Sequence, residues 1–115
     1  MKLIRLVIKP FKLEDVRRVV DTFRIKHMSV YEIRDLKKRP SVEQMMLDGQ
    51  EGRQLVPRLL IELLVHSHNC GEIVNQLIKL VRTGKVDDGV MTIQTVDEVV
   101  EIYSGETEGD VIEDA

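Results

Sequence analysis

A chain of 115 residues supplies one domain with a single modest core, and 43% hydrophobic with 32% charged residues excludes a disordered or fibrous protein. Only Phe11, Phe23, Tyr31 and Tyr103 are aromatic, too few for a module that stacks nucleic-acid bases on rings. The formal charge of −3 hides a division: residues 1–58 carry 14 Lys/Arg against 8 Asp/Glu, whereas residues 59–115 carry 3 against 12.

In chain order, residues 2–9 read as a strand that stops at Pro10. Residues 12–23 read as an amphipathic helix, with Leu13, Val16, Val20 and Phe23 on one stripe and Glu14 and Asp15 at its positive end. Residues 28–36 alternate as a second strand, and Leu59 to Val65 form a third. Ile73, Val74, Leu77, Ile78 and Val81 line a second helix that Ser67 or Asn69 would cap, and Val90 to Val96 form a fourth strand. Two β-α-β halves predict an α+β fold of the split β-α-β, ferredoxin-like kind, with an antiparallel sheet and both helices on one face. Glu98 to Tyr103 would add a short fifth strand. The expected domain is 1–104, followed by an acidic, mobile tail over 105–115.

Two features exceed that fold. Strands one and three are apolar on both faces: Ile4, Leu6 and Ile8 oppose Leu3 and Val7, and Leu59, Ile61, Leu63 and Val65 oppose Leu60 and Leu64. Two helices cover only one face, which predicts a homo-oligomer that covers the other. The second feature is the connection from Lys37 to Gln54, too long for an ordinary hairpin turn. It opens on Lys37, Lys38 and Arg39, and its middle holds Ser41, Val42, Met45, Met46 and Leu47, with Ser41 and Gln44 spaced to cap one helical turn. Such apolar side chains suit an adaptable docking surface; folding back onto the parent domain is the alternative.

The chain resembles the nitrogen regulatory protein PII family over nearly its whole length. The resemblance rests on Lys9-Pro10-Phe11-Lys12-Leu13, Met28-Ser29-Val30, the long connection, Pro57 with Ile61-Glu62, the run Thr83-Gly84-Lys85-Val86-Asp87-Asp88-Gly89, and Ser104-Gly105-Glu106. It implies a homotrimer, adenine-nucleotide sites in the clefts between subunits, and a projecting loop (the T-loop) that docks onto a membrane transporter or metabolic enzyme. The docking residues would be Ser41, Val42, Met45, Met46, Leu47, Glu51 and Arg53. Ligand contacts would come from Ser29, Lys37, Lys38, Arg39, Arg58, Glu62, Leu64, Thr83, Gly84, Lys85, Asp88 and Gly89. By their chemistry alone, residues 83–89 offer glycine-flanked backbone N–H groups and the Lys85 charge to an anion, or else simply close a helix C-terminus.

Departures from the family pattern are concentrated where phosphates would sit. The resemblance places lysine at position 90, arginines at 101 and 103 and glycine at 87; this chain has Val90, Glu101, Tyr103 and Asp87. Tight ATP binding is therefore not expected, and ADP, AMP or another small anion fits better, unless the cleft is empty. The modification sites are missing too: Glu51 stands at the uridylylated tyrosine position and Gly49 at the phosphorylated serine position. Binding of 2-oxoglutarate is doubtful, because Arg39 and Arg58 replace a glutamine and a lysine.

Rival readings are weaker. His66, His68 and Cys70 offer metal donors of a small metal sensor, but no fourth ligand accompanies them and His27 is the one other histidine. The adjacent Asp87 and Asp88 need not converge on a substrate, so an enzyme is not expected. An RNA-binding sheet would need more aromatics than Tyr31 and Tyr103. One cysteine forms no internal disulfide, and no apolar run approaches the ~20 residues that span a bilayer, so the expectation is a cytoplasmic protein that a transporter partner recruits to the membrane. A degenerate, ligand-independent oligomeric subunit remains the alternative function.

Overall fold

The computed structural model describes residues 1–37 and 54–107. Four strands, β1 (Lys2–Ile8), β2 (His27–Leu36), β3 (Leu55–Val65) and β4 (Gly89–Thr95), form one antiparallel sheet in the order β2-β3-β1-β4. Helix α1 (Leu13–Phe23) joins β1 to β2, and α2 (Ser67–Val81) joins β3 to β4. This is the split β-α-β arrangement. A 3-10 turn at Pro10–Lys12 leads into α1, because proline fits the start of a helix where its missing N–H is not needed.

The core lies between the sheet and the helix pair. Ile4, Leu6, Ile8, Ile61, Leu63 and Val65 from the central strands meet Val16 and Val19 of α1 and Cys70, Ile73 and Leu77 of α2. Period-two alternation puts the other half of each strand on the opposite face. There the register aligns His27, Leu64, Leu3 and Gln94 in one row, Ser29, Glu62, Arg5 and Thr92 in the next, and Tyr31, Leu60, Val7 and Val90 in a third. Nothing in the described chain covers that face; Tyr31 and Val90 are 46% and 48% exposed.

Three expectations need correction. Residues 98–103 are not a strand: Ile102 to Ser104 turn, and an isolated bridge joins Val100 to Thr107. The turn closes on itself through Gly105 N–H to Glu101 O and Glu101 N–H to Glu106 O. Neither Ser67 nor Asn69 caps α2; His66 is the N-cap residue and makes no side-chain capping bond, while the Asn69 N–H donates to the His66 carbonyl. Finally, β3 begins at Leu55 rather than Leu59, so residues 55–58 pair with 33–36 as a two-stranded ribbon running past the end of β1. Most of the long connection, residues 38–53, and the tail 108–115 lie outside the described residues.

Gly89 is where β4 starts against β1. Its φ is +137°, and a Cβ there would stand 2.1 Å from the Val7 carbonyl oxygen, a backbone atom that cannot yield without breaking the ladder. Gly89→Ala is expected to lower stability by about 3 kcal/mol in urea denaturation. A loss below ~1 kcal/mol would show that the β1–β4 junction is not held this closely.

Candidate functional site

On the open sheet face, Ser29, Glu62 and Leu64 come together. Ser29 and Glu62 are direct register partners, and with Leu3, His27 and Leu64 they line a hollow of about 190 Å³. Arg5 crosses from β1, its Nε 3.3 Å from Glu62 Oε2. The contact is an ion pair without hydrogen-bond geometry, and this buried donor makes no hydrogen bond among the described residues. Glu62 also acts on Tyr31, raising its hydroxyl above the ordinary 10.0 by hydrogen bonding first and by charge second.

The turn between α2 and β4 forms a second cluster. The Asp88 carboxylate accepts from the Thr83 N–H at 2.7 Å, the Gly84 N–H at 2.9 Å and the Thr83 hydroxyl. Its own N–H donates to the Lys85 carbonyl. The two turn N–H groups that the sequence offers to an anion are thus engaged by a carboxylate of the same turn, and Lys85 is exposed. The Thr83 hydroxyl first, then the backbone donors, hold the Asp88 carboxyl at about 2, below the ordinary 3.8, against the opposing effect of burial.

A depressed carboxyl stabilises the fold fully above its unfolded value and loses that contribution as pH falls toward the folded one. For Asp88 the window runs from about pH 4 down to about 2. Asp88→Asn should lower Tm at pH 7 and flatten the fall of Tm between pH 4 and 2. Equal slopes for variant and wild type in calorimetric melts would refute the assignment.

Beside this turn lies a charge cluster drawn from three elements. Lys9 follows β1, Arg58 sits in the β3 part of the ribbon, and Asp87 precedes β4. Lys9 Nζ is 3.1 Å from Asp87 Oδ1 and 3.9 Å from Asp88 Oδ1, and Arg58 Nη2 is 3.7 Å from Asp87 Oδ2. The hydrogen bond from Lys9 is the main reason the Asp87 carboxyl stands below its ordinary value, with Arg58 adding to it. The loop base is adjacent, where the Lys37 N–H donates to the Gln54 carbonyl at 2.9 Å. Lys38, Arg39, Ser41, Val42, Met45, Met46, Leu47, Glu51 and Arg53 lie outside the described residues.

The Glu62 hollow and the turn cluster before β4 do not meet within one chain. Glu62 is level with Arg5 on β1, whereas Gly89 is level with Ile8. That separates them by about 10 Å along the strands and about 10 Å across two strand spacings. Val90 stands next to the turn cluster, and Tyr103 is 96% exposed on the terminal turn.

His66 and His68 stack at 5.3 Å, and Cys70 is buried in the core. These positions span the start of α2 rather than a strand, so strand spacing does not place them on one side. Among the described residues no group of three or more His, Cys, Asp or Glu is arranged to hold a metal ion. Nor is any described helix long and apolar enough to cross a membrane.

The sequence reading did not assign Lys9, Arg5 or Tyr31 to a site. Alternation alone puts Arg5 on the face opposite Ile4 and Leu6, but only the strand register sets it against Glu62. Lys9 carries no local signal beyond its place before Pro10.

A family model described as Nitrogen regulatory protein P-II matches residues 1–106. The chain is 27% identical over 108 residues to nitrogen regulatory protein GlnK of Escherichia coli strain K12, covering 94% of this chain and 96% of the relative. It is 29% identical to nitrogen regulatory protein P-II of Pasteurella multocida strain Pm70 and 30% identical to that of Synechocystis sp. strain PCC 6803. Both alignments span 112 residues, 97% of this chain and all of the relative. With the split β-α-β fold, these matches settle the descent: the chain belongs to the nitrogen regulatory protein P-II family.

Proposed function

We propose that this signal protein works as a homotrimer, takes ADP or AMP in preference to ATP, and controls a membrane transporter or a metabolic enzyme through residues 37–54. Its family is one of regulatory proteins, not enzymes. The observation that carries the effector reading is the state of the cations and donors: Asp87 engages Lys9 and Arg58, and Asp88 engages the Thr83 and Gly84 N–H groups. A ligand with fewer phosphate charges loses less there than ATP does. Ser29, Glu62 and Leu64 would take the base, and the turn residues Thr83, Gly84, Lys85, Asp88 and Gly89 of a neighbouring copy would face its phosphates. The distance between the two clusters supports that division between copies.

Calorimetric titration with ATP, ADP and AMP tests the reading. ADP or AMP is expected to bind more tightly than ATP, and submicromolar ATP affinity would sink it. A ligand-independent interaction subunit is favoured by the same internal carboxylates; absence of binding by all three nucleotides, with partner binding intact, would select it.

The docking role has its own test. Because Lys37 and Gln54 are hydrogen-bonded across the base, a two-residue Asn-Gly turn can replace residues 38–53 and close the ribbon as a hairpin. This variant is expected to keep its Tm within a few degrees while losing the transporter or enzyme that wild type retains in affinity purification. Undiminished retention by the variant would move docking elsewhere. The proposed location is the cytoplasm, with recruitment to the membrane when the partner is a transporter.

A further inference from the structure

The Lys9–Arg58–Asp87 cluster has the composition of an occupied anion site. Its two cations come from positions far apart in sequence, yet both side chains are largely withdrawn from water, at 15% and 13% exposure. Long cationic side chains normally keep their heads in solvent, and desolvated ones need a counter-charge held in place. Here Asp87 points one carboxylate oxygen toward each cation, with Asp88 farther from Lys9 at 3.9 Å and the Pro57 carbonyl accepting from Arg58 Nη1 at 2.9 Å. The space left beside it is about 20 Å³, lined by Val7, Asp35, Leu36, Arg58, Asp87, Gly89 and Val90. That is room for about one water and not for a tetrahedral oxyanion.

We infer that the Asp87 carboxylate is a built-in occupant of an oxyanion site formed by the Lys9 ammonium and the Arg58 guanidinium, and that it excludes phosphate groups from that position. The inference deepens, and rests on, the reading of a phosphate-poor effector site, because it names the residue that rejects the phosphate. Asp88 cannot take over the role: its two oxygens are committed to Thr83 and Gly84, and it stands 3.9 Å from Lys9. Asp35, at the rim, adds a further negative charge that the unmasked site must tolerate. Truncating Asp87 removes the nearest counter-charge of both cations, leaving Lys9 with the more distant Asp88 and Arg58 with the Pro57 carbonyl, and opens the volume its side chain filled. An added oxyanion can then supply the charge-assisted bonds that the carboxylate supplied before, from Lys9 and from the Arg58 Nη2 edge that faces Asp87.

Inorganic pyrophosphate is the probe, titrated calorimetrically into the full-length protein at pH 7. Asp87→Ala is expected to bind it at least tenfold more tightly than wild type, and the double variant Asp87→Ala/Arg58→Gln to lose that gain. Asp87→Asn, which keeps the side-chain volume but not the charge, covers the case in which the alanine variant fails to fold; it should gain several-fold. The proposal is overturned if the folded variants bind pyrophosphate no more tightly than wild type, or if the gain survives removal of the Arg58 charge. A wild-type titration with ATP is run alongside. Submicromolar ATP affinity would reject the effector reading, whereas the pyrophosphate comparison judges Asp87 alone.

Discussion

Restoring cations at three positions should raise ATP affinity by three or more powers of ten. The triple variant Val90→Lys/Glu101→Arg/Tyr103→Arg replaces an apolar side chain, a carboxylate and a phenol with groups that can hold phosphate, as the family resemblance implies. Each charge-assisted hydrogen bond contributes roughly 1.5–3 kcal/mol, so three of them total about 4–9 kcal/mol. At about 1.4 kcal/mol per decade the lower figure already gives three decades. The positions tolerate the change. Val90 and Tyr103 are 48% and 96% exposed, and Glu101 holds its turn through backbone N–H and C=O groups that any side chain leaves in place. Within the single chain the substitutions create no core cavity; in the proposed trimer the phosphates would supply the partner for the new charge at position 90. Calorimetry with ATP, comparing the triple variant with wild type, gives the answer; a gain of less than tenfold would mean that the missing cations are not what limits ATP binding. Adding Asp87→Gly to the triple variant should increase affinity further, since that carboxylate repels the same phosphates.

The parts of this molecule that depend on local sequence are legible in the sequence itself. The stripe through Leu13, Val16, Val20 and Phe23 turned toward the core as the helical period requires, and Ile4, Leu6 and Ile8 were separated from Leu3 and Val7 by strand alternation. Errors gathered where local signals are weak. Residues 55–58 contain Pro57 and Arg58, which interrupt the apolar run, yet they pair as strand because the ribbon satisfies backbone groups without needing a core. Residues 98–103 repeat an acidic residue every third position rather than alternating, and the turn there closes on its own backbone. Ser67 and Asn69 are good capping residues in isolation, but β3 delivers the chain into α2 one residue earlier, at His66.

The candidate site divides along the same line. Ser29, Glu62 and Leu64, which only the family resemblance groups together, are neighbours in the structure because they occupy one sheet face in adjacent strands. The family resemblance marks Asp87 as a misplaced negative charge but not its partners, because nothing near position 87 in the chain points to Lys9 or Arg58. Only the tertiary fold sets the end of β1, the ribbon and the start of β4 side by side. A carboxylate read from sequence as simple repulsion is, in three dimensions, the counter-ion of two desolvated cations. Its removal therefore has two effects, one on stability and one on anion affinity, that the sequence alone does not separate.

Leu60→Asp should dissolve the proposed trimer into monomers while leaving each monomer folded. Leu60 sits in the third row of the open sheet face, between Tyr31 and Val7, with Val90 beyond. Its side chain points away from the core formed by Leu59, Ile61 and Leu63, so an aspartate there meets water in the single chain. In an assembly that covers this face the same carboxylate is withdrawn from water without a partner. Desolvating an unpaired charge costs several kcal/mol per copy, and the cost recurs in every subunit around the axis. Apolar contacts in this row, each worth about 1.5–3 kcal/mol for a fully covered large side chain, cannot absorb it. Light scattering should report a threefold drop in mass, and circular dichroism should report unchanged helix and strand content. Leu60→Met, which keeps the volume and the apolar character, should remain assembled. A Leu60→Asp variant that stays trimeric would mean that the subunits meet elsewhere. A monomeric wild type would mean that the open face is covered by another protein, and the surface most exposed to choose that protein would be the row of Tyr31, Leu60, Val7 and Val90.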